Sequence, residues 1–392
     1  MKIPLSYSFR NLWTRKMTTM MTIGGVGLVI FVFCAVLMLA AGLEKTLVAT
    51  GSDDNAVILL KSAESETLSQ IPLDVTDILA SQPEVALSSD GKPNASREVM
   101  TMINLQKKGA SSSDLANINV RGVSPAGVAL RPQIKITEGR MFNFGTSELI
   151  VSERIISGFE GARLGGTLKF GGRTWNIVGL FDGGNSGFSS EIWADNSQIM
   201  QAFNRQEAFS DMIFKLKNPE SFNSIKSKIE ADPRLNNFKV LHEKEFYAAE
   251  SEALASFIRI LGLVITIIFS FGAMIGAMIT MYAAVANRTV EIGTLRALGF
   301  KRRSVLSAFL IESLLLSLIG GGVALLLASF LQLVSVSTTN FTTWSEISFN
   351  FALSPNIIIS TLIFSVAMGL IGGFLPSFRA SRLDIITALR SS

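Results

Sequence analysis

The sequence of 392 residues predicts a membrane protein with four transmembrane α-helices and a large mixed α/β extracytoplasmic domain between the first and second helices. Hydrophobic residues make up 48% of the chain and charged residues only 17%, whereas soluble proteins usually carry about 25% charged residues. Four apolar runs are long enough to cross a bilayer. The clusters of Lys and Arg between these runs are placed so that all of them can lie on one side of the membrane.

Each apolar run approaches or exceeds the roughly 20 residues that cross a bilayer core of about 30 Å. The first run is longer than the apolar stretch of a secretory signal peptide, about 7–15 residues, and we expect it to be retained. The fourth begins at Ser354-Pro355, where Ser predicts a helix N-cap and Pro the first helical position. The four runs occupy residues 17–43, 260–287, 305–334 and 354–378.

Cations in short loops predict the orientation, because Lys and Arg near transmembrane helices stay in the cytoplasm. The loop at 335–350 has no Lys or Arg, and we expect it outside together with residues from about 45 to 252. Trp344 in that loop predicts an interfacial anchor. Both termini and the 288–303 loop are then cytoplasmic, because they carry the cations Lys2, Arg10, Arg15, Lys16, Arg288, Arg296, Lys301, Arg302, Arg303, Arg379, Arg382 and Arg390.

The predicted organisation has three parts. Residues 1–52 form an N-terminal cytoplasmic segment and the first transmembrane helix, and 53–242 form the extracytoplasmic α/β domain with an inserted β-rich subdomain at about 117–204. Residues 243–392 form a stalk, helices two to four, a short cytoplasmic helix at 288–300 and the C-terminus. Predicted strands lie at 57–61, 99–105, 117–122, 148–151, 174–180 and 212–217, and predicted helices of this domain at 73–82, 197–204 and 220–231.

The inventory of reactive residues argues against an enzyme. The single cysteine, Cys34, lies in an apolar run, so no intramolecular disulfide can form, and one cysteine with one histidine, His242, cannot build the usual zinc site. The Gly-rich stretch at 183–187 lacks the GxxxxGK[ST] spacing of a phosphate loop and predicts a flexible tip between strands. We therefore expect no catalytic residue, no metal, no directly bound cofactor and no nucleic-acid partner.

The second transmembrane helix is predicted to begin well outside the membrane. Nothing between Glu245 and Ala286 breaks a helix, and about 45 residues at 1.5 Å each give a helix of about 65 Å. Two interpretations are compatible: a rigid lever, or packing of its small residues against the end of the first helix near Leu43 and Leu47. A small-xxx-small pattern at Gly272 and Gly276 suits close helix contact. The predicted seam consists of Phe246, Ala249, Ala253, Ser256, Ile260 and Leu263.

The loop after the second helix, 287–313, is short, charged and helical in pattern. Ile292, Leu295 and Leu298 are predicted to share one face, and Gly299 is a natural C-terminal cap. The simplest interpretation is a helix lying on the membrane surface.

Glu312 is the one carboxylate inside this set of helical runs. It lies about 12 Å past Arg303 by helical rise, where a charge is costly and usually paired. Two interpretations stay open: a salt bridge near the short helix with Arg296 as candidate partner, or a side chain that reaches the cytoplasmic interface.

Three segments resemble one protein family. The run EIGTLRALGFKRRSVLSAFLIESLLL is similar to the signature of the MacB/FtsX-like (type VII) ABC transporter permeases, which include the lipoprotein-releasing permeases. The ending LPSFRASRLDIITALR and the opening SFRNLWTRKMTTMMT are similar to the family's termini. The resemblance extends over essentially the whole chain, more loosely in the outer domain, through EGRMF and SELIVSERI.

The resemblance implies a multi-pass protein of the bacterial inner membrane, a stand-alone permease without a fused ATPase domain. It implies a homodimer, or a heterodimer with a paralogous permease, on two copies of a separate ATPase that uses ATP and Mg²⁺. A membrane-fusion adaptor, an outer-membrane channel and lipid are further implied partners. The segment 291–299 would be the coupling helix that docks on the ATPase, through Glu291, Ile292, Gly293, Leu295, Arg296, Leu298 and Gly299.

The function implied is mechanotransmission, in which ATP hydrolysis in the cytoplasm drives periplasmic work without passage of substrate through a pore. Efflux or export is the leading interpretation, because the outer domain is larger than in FtsX. The alternatives are an FtsX-like regulator of cell-wall hydrolases and a lipoprotein-releasing permease.

Overall fold

The computed structural model describes residues 16–385 apart from 110, 112–113 and 206–207. Predictions on Lys2, Arg10, Arg15 and Arg390, and on the two chain ends, lie outside the described residues. The chain divides into two compact units. The membrane unit contains the residues up to Ala41, Ser256–Val334 and the residues from Phe351, and the outer unit contains Gly42–Ala255 and Ser335–Asn350.

The helices of the described residues are numbered along the chain. They are α1 (Lys16–Val48), α2 (Leu73–Ala80), α3 (Pro125–Ala129), α4 (Glu153–Gly158), α5 (Asn196–Ala202), α6 (Ser221–Ala231), α7 (Glu243–Ala286), α8 (Thr289–Ala297), α9 (Arg302–Ser329) and α10 (Pro355–Ser381), with short 3₁₀ turns at Glu66–Leu68, Gly187–Ser190 and Phe330–Leu333.

The strands are numbered in the same way. They are β1 (Asn55–Leu60), β2 (Ile71–Pro72), β3 (Ala95–Gln106), β4 (Leu115–Val123), β5 (Lys135–Gly139), β6 (Glu148–Ser152), β7 (Thr167–Phe170), β8 (Arg173–Asp182), β9 (Glu191–Asp195), β10 (Ala208–Phe209), β11 (Asp211–Lys215), β12 (Phe238–His242), β13 (Ser335–Thr339) and β14 (Glu346–Asn350).

Within the described residues, the four predicted transmembrane helices are confirmed as α1, α7, α9 and α10, each long and apolar enough to cross a membrane. Helix α10 starts as predicted, because the Ser354 hydroxyl accepts the N–H of Ile357 and Pro355 takes the first helical position. Helix α7 runs unbroken through 44 residues, which confirms the long helix predicted from Glu245 onward.

Small residues bring the membrane helices close together, as in other bundles that lack a hydrophobic driving force between helices. Ser365 Oγ donates a hydrogen bond of 2.7 Å from α10 to the Ser317 carbonyl of α9. A Cβ added at Gly369 would lie 2.8 Å from the Ser317 Cβ and 3.2 Å from the Ser313 carbonyl oxygen. The contact between α9 and α10 therefore depends on a missing side chain at Gly369.

Replacing Gly369 by alanine should destabilise the membrane unit, because overpacking a close helix contact costs about 1–3 kcal/mol. The matched control is Gly322→Ala in α9, where an added Cβ meets no heavy atom within 4 Å. We expect the midpoint of thermal unfolding in detergent to fall for Gly369→Ala and not for the control. Equal midpoints for the two variants would show that this contact does not depend on the glycine.

The outer unit is built on one sheet of ten strands, in the order β12-β1-β11-β3-β4-β9-β6-β8-β5 with β7 added to β8. All its pairings are antiparallel except β4 with β9 and β6 with β8. The six predicted strands are confirmed as β1, β3, β4, β6, β8 and β11, and the predicted helical runs are α2, α5 and α6. The strands that were not predicted are β2, β5, β7, β9, β10, β12 and the hairpin β13–β14.

Among the described residues, two large hydrophobic cores lie along this sheet, besides a smaller one around Phe181 and Trp193. One is formed by β1, β11 and β12 with α2 and α6, and contains Phe214 and Ile225. The other contains Trp175 and Ile192 and draws on β3, β4, β6, β8 and β9. The segment 117–204 therefore adds strands to the sheet of its flanks while contributing most of the second core. Its status as a separate subdomain stays a prediction, and the compact unit, from Gly42 to Ala255, is wider than the predicted 53–242.

The predicted seam on α7 is wrong for most of its members. Ala249, Ala253, Ile260 and Leu263 are exposed, although Phe246 is buried. The buried stripe of α7 in the outer unit instead includes polar residues, among them Glu243, which lies 3.9 Å from the buried Arg131. The stripe consists of Glu243, Phe246, Tyr247, Glu250, Ser251, Leu254 and Ala255.

The other glycine predictions have mixed outcomes. The stretch 183–187 is a packed loop and not a flexible tip: the N–H of Gly187 donates to Thr50 Oγ1 at 2.7 Å, and Phe188 is fully buried beside Trp193. Added Cβ atoms at Gly272 and Gly276 meet nothing within 4 Å. That small-xxx-small pattern is therefore not used for packing among the described residues.

Candidate functional site

A nine-residue helix, α8, lies between the membrane helices α7 and α9, where the sequence predicts a short helix at 288–300. Arg288 separates it from α7 with a φ of −121°. Gly299 has a φ of +91°, a left-handed conformation that glycine adopts without steric cost. The prediction that Gly299 ends the helix is confirmed: it follows the C-cap residue Leu298 directly, and the chain turns there towards α9.

One side of α8 is fixed to the membrane unit. Ile292 is 1% exposed and Gly293 is buried. The Ile292 side chain belongs to a small apolar cluster with residues of α7, α9 and α10, namely Met281, Val285, Val305, Phe309 and Ala380. Because three membrane helices contribute to this cluster, α8 is attached to all of them.

The opposite side of α8 is exposed. Val290 and Leu298 are 43% and 67% exposed, and Thr294 between them is also exposed. These three residues follow the i, i+4, i+8 spacing of one helical face. The side chain of Leu295 is half-buried. The exposed face is therefore apolar at both ends and polar in the middle.

The prediction that Ile292, Leu295 and Leu298 share one face is wrong. With 3.6 residues per turn, two steps of three residues leave Leu298 about 120° away from Ile292. Leu298 is also the C-terminal cap, with φ −73° and ψ 4°. Val290 was not predicted, although its spacing of eight residues from Leu298 was visible in the sequence.

Glu312 forms a buried salt bridge, which supports the first of its two interpretations. Arg288 Nη1 donates to Glu312 Oε2 at 2.9 Å, and the two side chains are 5% and 10% exposed. The same guanidinium contacts Glu291 Oε2 at 3.2 Å and lies 4.9 Å from the ring centre of Phe309. The pair joins the start of α8 to α9.

The predicted partner of Glu312, Arg296, is wrong. Arg296 Nη1 donates instead to the Ser381 carbonyl at the end of α10, at 2.9 Å. Arg296 lies about two turns, or 12 Å, along α8 from Arg288, which places it beyond the reach of the Glu312 carboxylate. The sequence does not single out Arg288 as the partner of Glu312, because Arg288 also fits the pattern of cations that set the membrane topology.

A small cavity, lined by apolar side chains and several hydroxyl groups, adjoins the salt bridge in the membrane unit. Its volume is about 50 Å³, more than the roughly 10–15 Å³ that one water needs. Thr22 and Thr280, whose hydroxyls are hydrogen-bonded at 2.9 Å, line it together with Glu312 and Ser313. In the described part of the chain, no three His, Cys, Asp or Glu residues are grouped so that they could hold a metal ion.

Two family models match the chain. Residues 19–232 match the MacB-like periplasmic core domain, and residues 263–385 match the FtsX-like permease C-terminal domain. The second match contains α8, Arg288 and Glu312. The first covers more than half of the 392 residues.

Curated relatives match at low identity along the chain. An uncharacterized ABC transporter permease, YvrN, from Bacillus subtilis is 25% identical over 98% of both chains. A macrolide export ATP-binding/permease protein, MacB, from Shigella flexneri is 24% identical over 98% of this chain and 60% of its own length. A MacB from Hahella chejuensis is 27% identical, and the match spans 35% of that protein.

A solved structure of the periplasmic region of MacB from Actinobacillus actinomycetemcomitans matches 50% of this chain and 92% of its own length. Its TM-score is 0.38 and its sequence identity 13%.

Proposed function

The chain belongs to the MacB/FtsX-like family of ABC transporter permeases, and we propose that it couples ATP hydrolysis by a separate ATPase to export by mechanotransmission. It is a multi-pass membrane protein and a permease subunit. In this proposal it binds no cofactor itself and is not catalytic; ATP and Mg²⁺ are used by the partner. In this proposal the protein is located in the bacterial inner membrane, with both termini in the cytoplasm.

The observation that carries the proposal is the way α8 is held. Ile292 and the Arg288–Glu312 salt bridge attach one side of α8 to the membrane unit, while Val290, Thr294 and Leu298 remain exposed on the other. A helix fixed on one side can pass a displacement to the elements that hold it. Helix α7, which ends two residues before Arg288, is unbroken from Glu243 onward.

The partners follow from the same arrangement. We propose that two copies of an ATPase dock on α8 in a complex with two permease chains, identical or paralogous. A periplasmic adaptor, an outer-membrane channel and membrane lipid complete the proposed assembly. Export is proposed because the relatives with assigned names include macrolide and pyoverdine exporters; the substrate of this chain is not proposed.

The proposal is tested by reconstitution with a candidate ABC ATPase from the same organism. In proteoliposomes, the chain alone should not hydrolyse ATP, and the ATPase should turn over ATP faster when the chain is present. ATP hydrolysis by the purified chain alone, or a turnover of the ATPase that is the same with and without it, contradicts the proposal.

The orientation is tested by cysteine labelling in a Cys34→Ala background. We expect an impermeant maleimide added to cells with a permeabilised outer membrane to label Thr146→Cys, because residue 146 lies in the outer unit. Lys301→Cys, in the cation-rich turn before α9, should be labelled only after the inner membrane is opened. The reverse pattern of labelling would invert the proposed topology.

A further inference from the structure

The outer unit contains a cluster of buried charged residues. Arg121 and Arg131 are each 1% exposed. Around them, among the described residues, lie six carboxyl groups that are each less than a tenth exposed: Glu66, Glu98, Glu191, Asp211, Glu243 and Glu250. If all were ionised, the cluster would hold four more negative than positive charges. Because burying unpaired charge is very costly, some of these carboxyl groups must carry protons.

Three of the carboxylates are paired with the arginines. Arg121 donates two hydrogen bonds to Glu66, at 2.9 and 2.8 Å, and two to Glu191, at 2.8 and 2.9 Å. Glu98 accepts from Arg121 and from Arg131, each at 2.9 Å. Burial alone would raise the pKa of Glu66, but the Arg121 guanidinium lowers it below its usual value. Each of these three carboxylates is therefore bound by at least one guanidinium.

Asp211 differs from them. It is fully buried, neither of its oxygens accepts a hydrogen bond, and the nearest cationic atom, Arg121 Nη1, is 3.8 Å away. Burial first, and then the negative charges of Glu66 and Glu98, raise the pKa of Asp211 well above its usual value. Asp211, whose two oxygens receive no N–H or O–H donor, is therefore the member of the cluster best placed to hold a proton.

The first turns of α7 are fastened to the same cluster. Tyr247 Oη contacts Glu66 Oε1 at 3.5 Å. One turn earlier, Glu243 Oε2 accepts the N–H of Ser52 and the amide of Asn55, both at 2.9 Å. One turn later, Glu250 accepts from Asn340 at 2.9 Å. Residues 243, 247 and 250 lie on one face of the helix, so that face is held by polar contacts that converge near Glu66.

We propose that a proton held by Asp211, next to the Arg121 guanidinium that binds Glu66, is a latch that keeps the start of α7 docked on the outer sheet, and that loss of this proton releases the helix. Glu98, Asp211 and Arg121 lie on the paired strands β3, β11 and β4, which resist displacement. Glu66 is in a 3₁₀ turn and Tyr247 in α7, so these two elements move most easily when the buried negative charge increases.

The sign of the pH effect follows from the raised pKa. A carboxyl group that holds its proton more tightly in the docked state favours that state below its own pKa, and the advantage is lost as the pH rises through it. The latch therefore opens at alkaline pH on the extracytoplasmic side. The charged and titratable groups that surround Asp211 are Glu66, Glu98, Arg121, Arg131, Glu191, Glu243, Tyr247 and Glu250.

The test uses the full chain in detergent and compares it with Asp211→Asn, whose amide has nearly the same shape as the carboxyl group but cannot ionise. The matched control is Asp232→Asn, an aspartate at the surface that pairs with Arg234. Infrared spectroscopy detects the protonated carboxylic acid. Amide hydrogen exchange reports the docking of residues 243–255. Exchange of α6 in the same sample serves as the internal reference for the intrinsic dependence of exchange on pH.

At about pH 7, we expect a stronger acid band in the wild type and in Asp232→Asn than in Asp211→Asn, because burial raises the pKa of Glu250 to about 8 and this residue contributes to the band in every chain. As the pH rises, the part of the band that Asp211→Asn lacks and the protection of 243–255 should disappear together, with exchange at least about tenfold faster, while Asp211→Asn keeps more of its protection. An unchanged band in Asp211→Asn, or the same loss of protection in both chains, overturns the proposal. If Asp211→Asn does not fold, the wild type alone tests the proposal. Protection of residues 243–255 that persists after the acid band is lost overturns the proposal.

Discussion

Aspartate at both Val290 and Leu298 is expected to release the partner ATPase while the permease itself stays folded. Both side chains are exposed on α8, so the substitutions cost the isolated chain little. In the complex, each would place a charge in an apolar contact, where losing one buried aliphatic side chain already costs about 1.5–3 kcal/mol. The affinity for the ATPase should fall at least about a hundredfold, since every 1.4 kcal/mol is a factor of ten.

Leu87→Asp with Leu115→Asp is the matched control, because these two leucines are 66% and 55% exposed in the outer unit. The measurement is the amount of ATPase that co-purifies with each variant in detergent. Leu295 is left unchanged because its side chain is half-buried, and its replacement would disturb the permease directly. Equal recovery of the ATPase with both double variants would remove α8 as the docking element.

Breaking the Arg288–Glu312 salt bridge should have the second largest effect, on the stability of the membrane unit. Removing one partner of a buried ion pair leaves an uncompensated charge and costs about 3–5 kcal/mol, whereas replacing both partners by apolar residues of similar size is often neutral. Arg288→Met and Glu312→Leu should each lower the unfolding midpoint strongly. The double variant should recover most of the loss.

Glu291→Ala is the control. The Glu291 side chain contacts the same Arg288 guanidinium but is 57% exposed, and an exposed ion pair contributes at most about 1 kcal/mol. Unfolding midpoints in detergent decide the result. If the losses of the two single variants simply add in the double variant, the two residues do not act as a pair. The double variant is expected to be stable but lacks the charged link between α8 and α9. Its stimulation of the ATPase therefore shows whether the salt bridge also contributes to coupling.

The membrane helices could be predicted well because the bilayer selects for a long apolar run, a signal that one segment carries by itself. The start of α10 at Ser354 and the turn at Gly299 were predictable for the same reason, since each depends on one local residue type. Strands of the outer sheet such as β3 and β8 were recognisable as β-rich runs, and their pairing order was not.

The features that were missed depend on contacts between distant residues. The choice of Arg288 over Arg296 depends on which turn of α8 faces Glu312, and the pattern of charges does not specify it. The hairpin β13–β14 was treated as a loop because the segment is polar, although Ile347 and Phe349 alternate with polar residues as a half-buried strand requires. Sheet register places Arg121 of β4 beside β3 and β9, so the buried charge cluster could not be seen from single segments.

The central claim, that α8 is the docking element for the ATPase, is tested most directly by a photo-crosslinking amino acid at position 298, with position 115 as the control. In membranes that contain the complex, the account predicts an ATP-independent crosslink from position 298 to the ATPase and none from position 115. An ATPase that co-purifies with the chain yet crosslinks from neither position would contradict the account.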